Sequence, residues 1–309
     1  MRISSFVAAV LTFAFLTPVY AQKKPITLAD LSGNGATAGA TDIQWRPDSK
    51  GFSYKKGSRY HYFEVEAKKS RELPDCGGEC MKAAPVPDPP AFEWKNRGVR
   101  EQTTQWCSDN RHLLLKAGGD LFWMDTDENA ATPIRALTRT LYDEADPKLS
   151  PDCKYVGFRK DYDLYSLQIE TGAIHAITKG GNAERMNARL DWVYPEELQI
   201  PSAYWWAPDS RSLAYLQFDM ATVPVYPHAD YLAIPPRAEP ERYPKPGEPN
   251  AGVRLAIVDR AEAKSRFVNL GDPRDYLIAR VNWLPDGKRL VVQRLNRIQN
   301  ELTLFFVNA

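Results

Sequence analysis

Apolar and polar positions recur along this chain in a three-part pattern: an apolar strand end, a turn built on aspartate, and a second apolar strand. Five segments share the pattern, and they start at Trp45, Trp106, Leu149, Trp206 and Trp283. The turn is Pro-Asp in four of them and Ser-Asp in the second. Because proline presets φ and aspartate can bond its own backbone, each segment predicts a β-hairpin.

A third apolar segment follows each hairpin. These segments are Tyr60–Val65, Asp120–Asp125, Asp163–Ile169, Val253–Val258 and Leu302–Val307. In the second, third and fourth units a turn and a further short strand come next. Three or four strands per repeated unit are typical of the blades of a β-propeller with insertions. A β-sandwich, the other all-β possibility, would lack a recurring hairpin signature. The sequence therefore predicts an all-β chain, a β-propeller with about five blades present.

The fifth unit ends at Ala309, directly after its third strand. Because a propeller protects its sheet edges by radial closure, we expect this propeller to be incomplete. Two proline-rich segments, Cys76–Phe92 and Pro235–Pro249, interrupt the repeat. Proline density of this kind favours extended or turn conformations, so both are predicted to be surface excursions between strands.

The first residues differ from the repeat. Arg2 precedes an apolar run from Val7 to Leu16, and a small-residue site ends at Ala21. This order predicts a signal peptide at 1–21, with a signal anchor as the alternative. The run is short for a membrane span. We therefore expect 22–309 to be a partial propeller domain that is exported, periplasmic or extracellular, with no membrane span after cleavage.

Composition narrows the function classes. The chain has 309 residues with 40 Lys and Arg against 39 Asp and Glu, so its net charge is +1. A nucleic-acid partner is not expected, because phosphate binding requires a basic excess. The four cysteines, Cys76, Cys80, Cys107 and Cys153, permit disulfides, but their spacing leaves the pairing open. A zinc site is weakly supported, because there is one close cysteine pair and the histidines are scattered. No metal or cofactor is predicted.

The chain lacks the usual catalytic motifs. It contains no G-x-S-x-G nucleophile elbow, no H-E-x-x-H and no G-x-x-x-x-G-K-[ST]. These absences remove the simplest serine hydrolase, metallopeptidase and nucleoside-triphosphatase interpretations. No catalytic residue is assigned, and no autonomous enzymatic activity is expected.

One acidic pair is a candidate binding site. Glu196 and Glu197 follow Pro195 between the third and fourth units. Adjacent strand residues point to opposite faces, so the pair can act together only where the chain leaves the sheet. Pro195 suits the first position of a helical turn, and a primary ammonium could lie between two carboxylates. Acids at a helix start also complement the helix dipole, so the residues alone leave both interpretations open.

The surrounding residues carry a resemblance. Asp191-Trp-Val-Tyr with the Glu pair resembles the double-glutamate motif of the dipeptidyl peptidase IV family, serine exopeptidases of the prolyl oligopeptidase class. The flanks agree in order: Trp205-Trp206-Ala-Pro-Asp, Leu213-Ala-Tyr-Leu-Gln-Phe-Asp219, Val223-Pro224, Arg242-Tyr-Pro-Lys-Pro-Gly247, Asn250 and Gln293-Arg-Leu-Asn-Arg-Ile-Gln-Asn300. The resemblance runs through most of the chain after 21 and is strongest from Leu149 to the end.

This resemblance implies an eight-bladed propeller followed by a C-terminal α/β-hydrolase domain, which carries a Ser-Asp-His triad and is absent from these residues. Glu196 and Glu197 would bind the free N-terminal ammonium of a peptide, so that proteolysis releases dipeptides ending in Pro or Ala. Pro195 stands where relatives often have a third acid. Arg97 and Arg100 are weak candidates for an assisting arginine, and the resemblance makes a homodimer possible.

The leading hypothesis is therefore an N-terminal propeller fragment of an exported dipeptidyl-peptidase-IV-like hydrolase, which supplies the amine-binding half of the active site. A stand-alone periplasmic propeller that binds or scaffolds without catalysis is the alternative. An inert gene remnant with a misfolded propeller is a third possibility.

Overall fold

The computed structural model describes residues 39–75, 102–231 and 234–309. These residues are almost entirely β-structure, and Ala40–Ala309 form one compact unit. The predicted signal peptide at 1–21 and the proline-rich segment Cys76–Phe92 lie outside the described residues. No helix in the described ranges has the length and apolar character needed to cross a membrane.

Five antiparallel sheets follow the predicted units. Blade I contains β1 (Thr41–Trp45), β2 (Gly51–Lys56), β3 (Arg59–Glu64) and β4 (Lys69–Glu72). Blade II contains β5 (Thr104–Trp106), β6 (His112–Ala117), β7 (Asp120–Asp125) and β8 (Ile134–Ala136). Blade III contains β9 (Ala145–Leu149), β10 (Tyr155–Lys160), β11 (Asp163–Gln168) and β12 (Ile174–Ala176). The all-β prediction is confirmed.

The last two blades depart from the simple order. Blade IV contains β13 (Arg185–Asn187), β14 (Tyr204–Trp206), β15 (Ser212–Asp219), β18 (Gly252–Asp259) and β19 (Ser265–Phe267). Between β15 and β18, a separate ribbon is formed by β16 (Val225–Asp230) and β17 (Arg237–Arg242). Blade V contains β20 (Tyr276–Trp283), β21 (Arg289–Asn296) and β22 (Leu302–Asn308). The excursion predicted from Pro235 therefore includes an ordered strand. Pro240 of β17 faces Pro227 in a ribbon whose strands each have one neighbour, so the missing N–H groups interrupt no further pairing.

The predicted turn chemistry is present in all five hairpins. The residue after each turn aspartate has a left-handed φ between 56° and 65°; these residues are Ser49, Asn110, Cys153, Ser210 and Gly287. Each turn aspartate accepts the backbone N–H two residues ahead through Oδ1. Local hydrogen bonding therefore shapes each turn independently of the rest of the fold.

The same left-handed residues connect successive blades. Asn110 Oδ1 accepts the N–H of Asp48 in the preceding turn at 3.0 Å, and Ser210 Oγ accepts that of Asp152 at 2.9 Å. At the junction between blades II and III, Cys153 occupies this position and forms a disulfide with Cys107. Cys76 and Cys80 lie outside the described residues. The structure thus assigns one pairing that the sequence left open.

The repeated tryptophans also form hydrogen bonds between blades. The indole Nε1 of Trp106 donates to Gln44 O at 3.1 Å, that of Trp206 to Lys148 O at 3.1 Å, and that of Trp283 to Trp205 O at 3.2 Å. Each carbonyl belongs to a strand of the preceding blade, β1, β9 and β14 in turn. Buried apolar side chains fill the space between neighbouring blades, as Leu164 and Leu213 do between blades III and IV. Tryptophan therefore combines full or partial burial with an inter-blade hydrogen bond.

Candidate functional site

The Glu196-Glu197 segment lies inside blade IV, whereas the sequence pattern placed it between the third and fourth units. Strands β13 and β14 both pair with β15, at Asn187 opposite Gln217 and at Tyr204 opposite Tyr215. The residues 188–203 are therefore an insertion that divides one edge strand of this sheet. The chain leaves the sheet here, as a joint role for adjacent glutamates requires.

The insertion contains one helical turn, α1 (Val193–Glu197). The prediction that Pro195 starts this turn is wrong, because the helix begins two residues earlier. Asp191 explains the shift: its Oδ1 accepts the N–H of Tyr194 at 3.2 Å. Pro195 is the third helical residue, where the first turn offers no partner for an N–H. Asp191 is buried, and burial raises the pKa of its carboxyl to about 7.

Tyr194 attaches α1 to two blades. Its buried ring packs edge-on against Phe218 of β15, with ring centroids 4.8 Å apart. Its hydroxyl accepts the N–H of Ile278 in β20 at 2.9 Å. The turn is therefore anchored in the hydrophobic core between blades IV and V.

The end of the insertion is anchored on blade III. Ser202 Oγ is hydrogen-bonded to Asp146 Oδ2 and to Lys148 Nζ, both on β9. Lys148 Nζ also donates to Tyr204 O at 2.6 Å. Burial lowers the pKa of Lys148, and the carboxylate of Asp146, 3.6 Å away, opposes that change. The insertion consequently contacts three consecutive blades.

The β16–β17 ribbon borders the start of α1. The ring of Tyr243, just after β17, lies edge-on to Trp192 with centroids 4.5 Å apart. Arg242 donates through Nη1 to Met220 O and Val223 O, each at 2.9 Å. These contacts hold the base of the ribbon beside the turn that carries the glutamates.

The two glutamates differ in exposure. Glu196 is partly buried and Glu197 is exposed. Glu197 is the last residue of α1, where the helix dipole disfavours a carboxylate. Dipole complementation, the alternative explanation for this pair, can therefore apply to Glu196 but not to Glu197. Binding of an ammonium by the pair stays a prediction.

Some predicted groups lie beyond the described ranges. Arg97 and Arg100, the candidates for an assisting arginine, are among them. Within the described residues, no cluster of three or more His, Cys, Asp or Glu side chains could hold a metal ion.

Sequence reasoning missed the anchoring roles of Tyr194, Lys148 and Ser202. Tyr194 stood inside the quoted motif, but its contact with blade V has no local sequence signal. The disulfide had one: Cys107 and Cys153 lie at the turns of successive repeats.

Comparisons with known proteins agree with this architecture. Residues 100–309 match the family described as "Dipeptidyl peptidase IV (DPP IV) N-terminal region". A protein of Pyrenophora teres f. teres (strain 0-1) named "Probable dipeptidyl-aminopeptidase B" is 26% identical across 93% of this chain and 34% of its own length. The namesake from Pyrenophora tritici-repentis (strain Pt-1C-BFP) is 32% identical across 52% of this chain and 20% of its own length.

A solved structure shares the fold. The crystal structure of Porphyromonas gingivalis dipeptidyl peptidase 4 superimposes with a TM-score of 0.72 and 23% identity. The match covers 93% of this chain and 41% of that chain. This chain thus spans about a third of the length of the first relative and less than half of the solved protein.

Proposed function

This chain belongs to the dipeptidyl peptidase IV N-terminal region family, and we propose from that premise that it is the propeller portion of a dipeptidyl-peptidase-IV-like serine exopeptidase. In this proposal, Glu196 and Glu197 bind the free N-terminal ammonium of a peptide. The catalytic serine, aspartate and histidine belong to a hydrolase domain outside these 309 residues, since no G-x-S-x-G elbow occurs in them.

The position of α1 supports the proposal most directly. Its two carboxylates lie on an insertion in which Tyr194 is hydrogen-bonded to blade V and Ser202 to blade III. Ordering a mobile segment on binding costs conformational entropy and lowers the affinity. A segment that is already held in place avoids this cost, so the anchoring of α1 favours binding of an ammonium. A primary ammonium has three donors, which suits two adjacent carboxylates. Cleavage after the second residue would follow from holding the first residue by its amine.

We also propose that the protein is exported. The leader-like order of residues at 1–21 motivates this proposal. The Cys107–Cys153 disulfide supports it independently, because disulfides persist in oxidising compartments and are rare in reducing ones.

The amine-binding role predicts a selective loss of affinity. For Glu196→Gln and Glu197→Gln, we expect binding of a free-amine Ala-Pro peptide to weaken about tenfold or more, since each change removes a charge-assisted hydrogen bond. The N-acetylated peptide should bind weakly and equally to all variants. Isothermal titration calorimetry with both peptides measures the difference.

Glu262→Gln is the matched control, because Glu262 is an exposed glutamate on the β18–β19 turn of the same blade. It should leave both affinities unchanged. Equal binding of the free and acetylated peptides by the unmodified protein would instead favour a scaffold without amine recognition.

A further inference from the structure

We propose that the residues of a β-bulge in β20 of blade V form hydrogen bonds at both ends of α1 and thereby position Glu196 and Glu197. Tyr194 and Arg280 are then positioning residues for the amine site. This inference rests on the proposed function of the glutamate pair and adds to it a second blade on which the site depends.

The bulge is visible in the pairing of β20 with β21. Ile278 lies opposite Arg294, but Arg280 lies opposite Gln293, so Ala279 is an extra residue on β20. An extra residue bends the strand locally and redirects the groups next to it. Here those groups belong to Ile278 and Arg280, and both contact α1 or the residue that follows it.

The first contact fixes the start of the turn. The N–H of Ile278 donates to the hydroxyl of Tyr194 at 2.9 Å, and both residues are buried. Removal of the hydroxyl would leave this buried N–H without its partner, which is unfavourable. Tyr194 therefore holds the backbone two residues before Glu196 in one place relative to blade V.

The second contact fixes the end of the turn. Arg280 Nη1 donates to Leu198 O at 3.3 Å and to Ala279 O at 2.6 Å. Leu198 follows Glu197 directly, and carbonyls at a helix end have no partner within the helix. A guanidinium at that end also offsets the negative end of the helix dipole.

The two contacts bracket the glutamate pair. Beyond α1, a cavity of about 160 Å³ separates the insertion from the bulge, and its lining includes Ile200, Trp205, Ile278 and Arg280. Because this space is not filled by side chains, the residues that follow α1 have room to shift when the Arg280 contact is lost. The hydrogen bonds of Tyr194 and Arg280 therefore add to the packing of α1 in keeping the glutamates in place.

The test compares peptide binding across four variants of the full chain. Tyr194→Phe and Arg280→Met each remove one contact, and each should weaken binding of the free-amine Ala-Pro peptide about threefold to tenfold. Binding of the N-acetylated peptide should not change. Arg280→Lys retains a donor and should restore most of the affinity.

Tyr215→Phe is the control for loss of a buried hydroxyl. Tyr215 also lies in blade IV, and its hydroxyl donates to Ser265 Oγ at 3.0 Å, away from α1. This variant should bind the free-amine peptide as the unmodified protein does. A loss of affinity that follows thermal stability in all variants, Tyr215→Phe included, would overturn the positioning role.

Hydrogen exchange distinguishes a failure of the positioning role from a failure of the proposed amine-binding function. The N–H groups of Leu198 and Ile200 both donate to Tyr194 O at 3.2 Å, and they should exchange faster in Tyr194→Phe and Arg280→Met. If hydrogen exchange and peptide affinity are both unchanged in these variants, the positioning role of Tyr194 and Arg280 is overturned. The amine-binding proposal still stands in that case if Glu197→Gln weakens binding. If the unmodified protein does not distinguish free from acetylated peptide, the proposed function fails. The positioning role fails with it, even where exchange shows that the bulge holds α1.

Discussion

Loss of the Cys107–Cys153 disulfide is expected to lower the free energy of unfolding by about 4 kcal/mol in the chain-entropy description. The bond joins residues 46 positions apart, with Cα atoms 5.7 Å apart, and it connects the turns of blades II and III. Cutting it enlarges the set of conformations open to the unfolded chain, so the effect arises mainly there. The melting temperature should fall by several degrees.

The repeat supplies a conservative way to make this change. Ala207 and Ser210 occupy in blade IV the positions that Cys107 and Cys153 occupy in blades II and III. Ser210 has φ 59° and Cys153 has φ 56°, so serine suits this backbone. The double variant Cys107→Ala, Cys153→Ser therefore removes the crosslink while keeping a native-like junction.

Chemical unfolding with and without a thiol reductant measures the effect. Reductant should destabilise the unmodified protein to the level of the double variant. It should affect the variant less, and any remaining effect reports on Cys76 and Cys80. Equal stability of the two proteins under oxidising conditions would show that the bond contributes nothing.

The second large effect is expected at Glu144, a buried carboxyl between blades II and III. The hydroxyl of Thr138 lies 3.0 Å from Asp120 Oδ1 and 3.3 Å from Glu144 Oε2. Asp120 Oδ2 is buried and has no hydrogen-bond partner among the described residues. The hydroxyl of Thr140 donates to Glu144 Oε1 at 2.7 Å and favours the charged form, but burial beside the carboxyl of Asp120 outweighs it and favours a proton on Glu144. Burial, with a further contribution from Asp120, raises the pKa of Glu144 to about 7.

The junction between blades III and IV offers an internal comparison. Asn187 follows Asp163 by as many residues as Glu144 follows Asp120, and its Nδ2 donates to Asp163 Oδ1 at 2.8 Å. The backbone N–H groups of Asn187 and Glu144 bond equivalent carbonyls, of Tyr162 and Gly119. A neutral amide thus fills this position at one junction, and a carboxyl with a raised pKa fills it at the other.

The pH dependence follows from the raised pKa. The folded state holds the proton of Glu144 up to about pH 7, whereas the unfolded chain releases it near its ordinary pKa of 4.5. The proton on Glu144 therefore leaves the free energy of unfolding at its full value below about pH 4.5. The free energy of unfolding falls as the pH rises to about 7, and above that pH it stays lower by about 3 kcal/mol.

Glu144→Gln should remove this part of the pH dependence, because an amide donates without ionising. Denaturant unfolding measures the free energy of unfolding of both proteins at pH 4.5 and pH 8. The two values should be similar at pH 4.5, and the variant should be more stable than the unmodified protein at pH 8. Glu170→Gln, on the exposed turn after β11, is the control and should follow the unmodified protein. Identical pH profiles for Glu144→Gln and the unmodified protein would contradict the assignment.

Local signals predicted those features that local chemistry produces. The five hairpins were predictable because aspartate and a left-handed residue, with proline in four of the five, make each turn from neighbouring groups alone. The all-β class followed from the repetition of these turns. The start of α1 was predicted wrongly, because Asp191 captures the N–H of Tyr194 and the helix begins before Pro195. Proline marks a favourable helix start but cannot exclude an earlier one.

The sequence by itself determined the blades, the family resemblance and the identity of the acidic pair, since each depends on residues close together in the chain. Only the tertiary structure decided where that pair stands. It shows the insertion dividing an edge strand of blade IV, with Tyr194 bonded to Ile278 of blade V and Ser202 to blade III. It also decided that Cys107 pairs with Cys153. These partners are far apart in sequence. Apart from the matching repeat positions of the two cysteines, no local pattern encodes the contacts, because each contact forms only when neighbouring blades pack against one another.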